Sequence, residues 1–359
     1  MPRAGGGSKS TAIFKEKLIY LEVKRDRLVC LDCGQIFSEE LPGINRYSRS
    51  TANFTKQSLS YLAKNSFNEV ATVNQVGYQA LRKSLYNHVD PFALLAEKLK
   101  VLNTVPEIYL GLDGQSFRGQ DMVLTITEVA RKELLTILPS ESQRDLLRFL
   151  ERLSPEIRAK VKGVAMDMTN KHYRLLNRYF PEARLVIDHY HVIACSLMHL
   201  QRLRTTLQAA RHLPIPIKQE LNKNREDLTE REKAKLNRYF NFFPELYETY
   251  LVKEKIRQLY RTVKYEEAQE KFASLVAELK ETKEPELKEL RRTLLNWQEE
   301  ILNYFVYRIT NAYTEGLHTK CKLIKRKSFG FRNVETYVRK LILGLLPFIM
   351  LWGYTHFST

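Results

Sequence analysis

Three short apolar runs, each closing on an aspartate, restrict this chain more than any other feature. The first is the stretch EIYLGLDGQSF, Glu107–Phe117. Ile108, Tyr109, Leu110 and Leu112 are too few for a helix and rich in strand formers, so they predict a buried strand. Asp113 stands at its C-terminal end and Gly114 follows, as where a chain turns or something approaches closely. Val161–Met168, VKGVAMDM, repeats the device into Asp167, and Thr169-Asn170 then predict the cap of a helix through Tyr173, Leu176 and Tyr179. Arg184–Ile187 is a third strand, running into Asp188-His189-Tyr190-His191. An aspartate at the end of a buried strand is costly unless a cation sits against it. That edge of an α/β sheet is also where ligands and metals bind. Taken singly, each aspartate equally suits a cap on the following helix or turn.

Around these runs the elements fall in a definite order. Met122–Val129 alternates as a second strand and Leu134–Leu138 predicts a third, shorter one. Ser140, followed by acids, predicts a cap for a helix over 141–153, and another helix surrounds Pro155–Val161. Then come the Asp167 and Asp188 strands. From Val192 to about Tyr307 strand patterns vanish, and Leu, Tyr and Phe recur at three- and four-residue spacings among Lys, Arg and Glu. This is an all-helical insertion, and its mixed charge is the ordinary solvated face of long helices. On the last informative helix, Thr310–Lys327, Asn311, Glu315 and Lys322 share one face.

At these residues the chain resembles the DDE transposases of the bacterial ISL3 insertion-sequence family. The resemblance rests on LGLDGQSF, GVAMDMTNKHY, PEARLVIDHYHV and TNAYTEGLHTKCKLIKRKSFGFRN, in order, and runs from about Cys30 to the C-terminus. It implies a metal-binding triad at Asp113, Asp167 and Glu315, with Asp188 and His191 matching an Asp-x-x-His element that supports the site or positions flanking DNA. His318 stands where members commonly carry Asn. The implied fold is a ribonuclease-H-like α/β core, a mixed sheet flanked by helices and split by the insertion. Its first and fourth strands lie side by side, which sets Asp113 beside Asp167.

Before the core, Leu18–Val29 predicts a small hairpin leading into Cys30-Leu31-Asp32-Cys33-Gly34. A CxxCG knuckle is half of a zinc ribbon, and a closed site takes four ligands. Residues 1–29 hold neither Cys nor His, so weak or absent zinc at Cys30 and Cys33 is expected, against the zinc module the family ordinarily carries. Thr51–Asn87 predicts helices with a break around Asn74–Gly77, a helix-turn-helix pattern. Tyr78, Gln79, Arg82 and Lys83 would then begin the recognition helix, and Phe92–Leu102 is a linker helix. The domain reading is 1–50 disordered tail (residues 1–12) and partial zinc knuckle, 51–105 DNA-binding region and linker, 106–195 first part of the core, 196–308 insertion, and 309–359 the rest of the core.

Charge decides the class of partner. The chain carries 58 Lys+Arg against 41 Asp+Glu, net +17, together with 19 Tyr and 17 Phe, which favours nucleic acid over a membrane surface. Between 320 and 340 there are Lys320, Lys322, Lys325, Arg326, Lys327, Arg332, Arg339 and Lys340 against Glu335 alone, a pattern suited to a phosphate-backbone track. Leu341–Trp352 is too short for a bilayer and reads as a buried terminal helix. Met1–Thr11 lacks the apolar core of a signal peptide. Four cysteines, 30, 33, 195 and 321, suggest no disulfide framework and fit a reducing cytoplasm.

The chemistry expected follows from the carboxylates. Two aspartates and a glutamate brought together repel, so that one would hold a proton, unless cations separate them. Two Mg²⁺ ions, for which Mn²⁺ substitutes, prefer carboxylate oxygen and clamp an in-line displacement at phosphorus when about 3.5–4 Å apart. The expected activity is cleavage and joining of double-stranded DNA at terminal inverted repeats and target sites, by a homodimer on DNA. A transposase-derived repressor that binds without cutting, or another ribonuclease-H-like nuclease, would share parts of this pattern.

Overall fold

The computed structural model describes residues 8–14, 17–24, 26–41, 43–44 and 50–346. Two small hairpins come first. β1 (Ser8–Phe14) pairs antiparallel with β2 (Lys17–Val23), and β3 (Arg27–Val29) with β4 (Ile36–Ser38). Two expectations are corrected here. Residues 8–12 are strand rather than disordered, and 18–29 is not one hairpin, because β2 pairs upstream and β3 downstream. The cysteine turn is the reason. Cys30 N donates to Gln35 O and Gly34 N to Cys30 O, both at 2.9 Å, and Gly34 takes φ +71°, so the chain folds back directly onto β3. Residues 1–7 and the 347–352 part of the apolar C-terminal run lie outside the described residues.

Four helices follow: α1 (Ala52–Lys64), α2 (Phe67–Val73), α3 (Tyr78–His88) and α4 (Pro91–Leu102). Their starts are written in the sequence. Thr51 accepts from Phe54 N, Ser66 and Glu69 form a reciprocal capping box, and Asp90 caps α4 ahead of Pro91. The break between α2 and α3 falls at 74–77, as expected, with Gln75 at positive φ.

The centre is a five-stranded sheet in the order β7-β6-β5-β8-β9. Its strands are β5 (Ile108–Arg118), β6 (Asp121–Glu128) and β7 (Glu133–Leu138), then β8 (Val161–Met166) and β9 (Arg184–Ile187). β5, β6 and β7 run antiparallel, while β8 and β9 run parallel to β5, so the sheet is mixed and its first and fourth strands are neighbours, as expected. Between β7 and β8 lie α5 (Gln143–Leu150) and α6 (Pro155–Lys160), and α7 (Asn170–Tyr179) links β8 to β9. The cap of α5 is Ser142, which accepts from Asp145 N, and not Ser140, whose hydroxyl supports Ser142 and Asp145 instead. β5 also does not end at Asp113. It continues through Gly114 to Arg118, because β6 supplies a full antiparallel partner.

Beyond β9 the chain is helical: α8 (His189–Arg211), α9 (Lys218–Asn222), α10 (Glu230–Phe242), α11 (Pro244–Tyr260), α12 (Tyr265–Glu278), α13 (Pro285–Asn296) and α14 (Gln298–Tyr307). α15 (Ala312–Lys327) and α16 (Val334–Leu345) close the described part. The insertion is helical as expected, and its last helix protects a sheet edge. Asn303 on α14 donates to Leu185 O at 3.0 Å and accepts from Arg184 at 3.0 Å, covering β9, which would otherwise offer a bare ladder.

Alternation along β5 sorts its side chains between two layers. Leu110 and Leu112 join a large cluster with α5, α6, α7 and α11 to α14. Gly111 and Asp113 face the other way, toward α15. On that second side, Phe117, Val123, Leu134 and Ile137 pack with Leu59, Leu62, Leu81 and Leu85 of α1 and α3 and with Tyr337, Leu341 and Ile342 of α16. The 52–102 helices are therefore packed onto the sheet and its C-terminal helices. Lys340 is buried in this layer, donating to Leu62 O and Asn65 O at the end of α1, and so leaves the basic track expected of it. Burial also lowers its pKa to about 8.

Candidate active site

Parallel pairing of β5 with β8 sets the site. Gly111 is in register with Ala165, and two residues further along each strand stand Asp113 and Asp167. Asp113 is 8% exposed, on a strand still laddered to β6, where it sits opposite Thr125. Asp167 lies just past the end of β8, and Thr169, whose N–H bonds back to Asp167 O at 2.7 Å, caps α7.

The third strand brings a histidine. Asp188 ends β9 and caps α8 by accepting from Tyr190 N at 2.8 Å, which places His191 in the first turn of that helix. His191 Nε2 comes to 2.6 Å from Asp167 Oδ1. Asp167 is thus the charged partner of the His191 ring. One ligand atom from each of Asp113, Asp167 and His191 lies within 4.8 Å of the others. Two carboxylates and an imidazole converging in this way suit a divalent cation. Burial opposes a proton on His191, but Asp167, with the charges of Asp113 and Asp188, outweighs it and raises its pKa. The same acids that favour that proton favour a metal.

Asp188 has two tasks. Besides capping α8, its Oδ2 accepts the backbone N–H of Asn311, the residue that begins α15. Burial works to raise its pKa, yet His189 and the N–H groups of Asn311 and Tyr190 prevail and hold it below the ordinary range. Of the two uses open for Asp188 in the sequence, a helix cap is realised, and the same carboxylate also ties α8 to α15.

α15 carries Glu315, half-buried, near the aspartates. Its carboxyl pKa is raised, first by burial and then by the charges of Asp188 and Asp113. It stands outside the tight Asp113, Asp167 and His191 group. Polar contacts index this helix against the sheet. Asn311 Nδ2 donates to Leu112 O at 3.0 Å, and Thr314 Oγ1 meets Thr127 Oγ1 at 2.8 Å. His318 Nε2 bonds Thr125 Oγ1 at 3.0 Å while its Nδ1 lies 3.2 Å from Asp113 Oδ2. Gly111 permits the close approach: a Cβ there would meet Asn311 Oδ1 and Thr127 Oγ1 at 2.7 Å. Gly114 serves the opposite face, where Glu141 occupies the space a Cβ would need. Glu141 in turn pairs with Lys171 of α7 at 3.1 Å, bracing the loop before α5 against the Asp167 turn.

The other expected residues lie on different elements. Tyr78, Gln79 and Lys83 are exposed on α3, whereas Arg82 is half-buried and stacked over the Tyr86 ring, which Arg339 of α16 covers as well. Lys320, Lys322, Arg326, Lys327 and Arg332 are exposed, and Lys325 donates to Ser116 O at 3.2 Å. Cys30 and Cys33 are free thiols, and among the described residues no third ligand of metal type gathers with them. Hydrogen bonds from the Cys33 and Asp32 backbone lower the Cys30 pKa.

Sequence reasoning named Asn311 and His318 without finding what they touch, and it missed Thr125. The available signal was spacing: Asn311 and His318 lie four before and three after Glu315, hence on its side of the helix. A second gathering of His199, Glu286 and Glu289 joins α8 to α13. There Arg202 and Arg292 come to 3.8 and 3.9 Å from Glu289, so guanidinium groups already supply the positive charge.

The chain is similar to known transposases. A protein-family model described as a transposase, of the ISL3 DDE type, matches residues 110–341. The chain is 22% identical over 339 residues to the transposase for insertion sequence element IS1001 of Bordetella parapertussis, a match covering 92% of this chain and 82% of that protein. It is 24% identical over 265 residues to the transposase for insertion sequence element IS1557 of Mycobacterium tuberculosis, covering 66% of this chain and 60% of that one.

Proposed function

Given that the chain belongs to the ISL3 family of DDE transposases, we propose that it binds the terminal inverted repeats of a bacterial insertion sequence and cuts and rejoins DNA at Asp113, Asp167 and Glu315. The observation that carries this reading is the convergence of Asp113 and Asp167 with His191, beside the helix of Glu315. The three carboxylates hold divalent cations, Mg²⁺ or Mn²⁺ in its place. When bound, such ions supply charge stabilisation at the reacting phosphoryl oxygens. Asp188 and Asn311 keep α15 in register, and His191 orients Asp167.

DNA is held by the basic face. Lys320, Lys322, Lys325, Arg326, Lys327 and Arg332 track phosphates along and beyond α15, whose Glu315 delivers the chemistry. Tyr78, Gln79, Arg82 and Lys83 on α3 read the element ends, in a helix-turn-helix formed with α2. The protein acts as a homodimer on DNA in the cytoplasm. Tightly held zinc forms no part of the reading, since Cys30 and Cys33 are two ligands where a closed site takes four.

The test is cleavage and strand joining on an end-bearing duplex with Mg²⁺ or Mn²⁺, beside a binding assay on the same preparations. Asp113→Asn, Asp167→Asn and Glu315→Gln keep shape but remove the charge that holds metal. Each is expected to abolish cutting and joining together. A double variant should look little worse than a single one, because the groups act as one unit. DNA binding should survive, since removing a carboxylate lessens repulsion of phosphate. Normal cutting by one variant removes that residue from the site, and normal cutting by all three ends the enzyme reading.

A further inference from the structure

We infer that His318 is a positioning residue that fixes the Asp113 carboxylate for metal binding and, through α15, sets Glu315 against it. The inference rests on the metal-site reading above and assigns within it a role that the sequence alone did not suggest.

His318 is 6% exposed, enclosed between α15 and the sheet, and both ring nitrogens are in use. Nε2 bonds the Thr125 hydroxyl at 3.0 Å, and Nδ1 faces Asp113 Oδ2 at 3.2 Å. Thr125 is itself the register partner of Asp113 across β5 and β6. The imidazole therefore closes a small ring of groups: carboxylate, imidazole, hydroxyl and strand ladder. With Nδ1–H directed at the carboxylate and the Thr125 hydroxyl donating to Nε2, each group keeps a partner of the right kind. One Asp113 oxygen is thereby occupied, and the other is left for a cation.

The effect extends to Glu315. His318 lies three residues after it on α15, on the adjoining turn of the same side. Before Glu315, Asn311 ties the helix to Leu112 O and Thr314 ties it to Thr127. After it, His318 is the group that touches a metal-site carboxylate directly. A shift of the ring would move Asp113 and Glu315 relative to each other. Groups that orient a ligand from behind commonly govern metal affinity by about 10–100-fold.

The experiment uses the full chain and two readouts. The first is Mn²⁺ binding by the protein alone, measured by calorimetry. The second is the Mg²⁺ concentration giving half-maximal cleavage of an end-bearing duplex. His318→Ala is expected to weaken Mn²⁺ binding about 10-fold and raise the half-maximal Mg²⁺ by a similar factor, with DNA binding unchanged. His318→Asn, whose amide N–H occupies the place of Nδ1–H, should recover most of that loss. Wild-type Mn²⁺ affinity in His318→Ala overturns the inference. So does an equal loss in both variants that accompanies a loss of thermal stability, the mark of a merely structural role. If His318→Ala fails to fold, Thr125→Val decides, because it leaves the ring in place and unties Nε2: weaker Mn²⁺ binding supports the inference and unchanged binding overturns it. Asp113→Asn separates this from the underlying reading, since normal cutting by that variant removes Asp113 from the metal site, whatever His318 does.

Discussion

At the scale of single residues, Asp188 shows how one carboxylate serves two helices. It caps α8 through Tyr190 N and receives the N–H of Asn311 at the start of α15. Asp188→Ala removes a cap and leaves a buried N–H without an acceptor. Caps contribute about 1 kcal/mol and an orphaned buried donor costs about 1–3 kcal/mol, so a loss of about 2–4 kcal/mol is expected in urea unfolding. Cleavage should fall as well, since Asn311 begins the helix of Glu315. A variant as stable as the wild type would show that Asp188 does not tie the two helices. The aspartates were legible because a charged residue after a buried apolar run conflicts with its surroundings. His318 was not, because a histidine on a helix carries no mark of which strand it will touch.

At the scale of elements, the site depends on how closely α15 lies on β5. Gly111 sets that distance, since a side chain there would collide with Asn311, Thr127 and Val129. Gly111→Ala is expected to push α15 outward, cost about 1–3 kcal/mol of stability and reduce cleavage. Chemical denaturation and the cleavage assay check both effects, and a fully active, fully stable variant would show the contact to be loose. Strands and helices were largely readable from periodicity and caps: Thr169 before α7, the break before α3 and the short β9 all fall where expected. The errors came from pairing. β5 outruns Asp113 because β6 continues beside it, and β2 turned to β1 for its partner, and neither choice leaves a trace in local composition.

At the scale of the whole molecule, the helices at 52–102 share their apolar layer with the sheet and α16. A fragment spanning about residues 40–105 would expose Leu59, Leu62, Leu81 and Leu85, which α16 and the sheet now cover. Alone it is expected to melt without a cooperative transition by circular dichroism and to show no preference for element ends. A sharp transition would mean that the packing against α16 is dispensable. The sequence by itself determined the strands that end near Asp113, Asp167 and Asp188, the all-helical insertion and the basic run of 320–340, because periodicity, caps and charge are local properties that burial must respect. The class of fold and the pairing of Asp113 with Asp167 came from the family resemblance. Only the tertiary structure decided that His191 pairs with Asp167 itself, that His318 lies against Asp113, that Lys340 is buried and that Arg82 lies on Tyr86. Each of those depends on a contact between segments far apart in the chain, where the energy lies in close packing and polar satisfaction that no local pattern records.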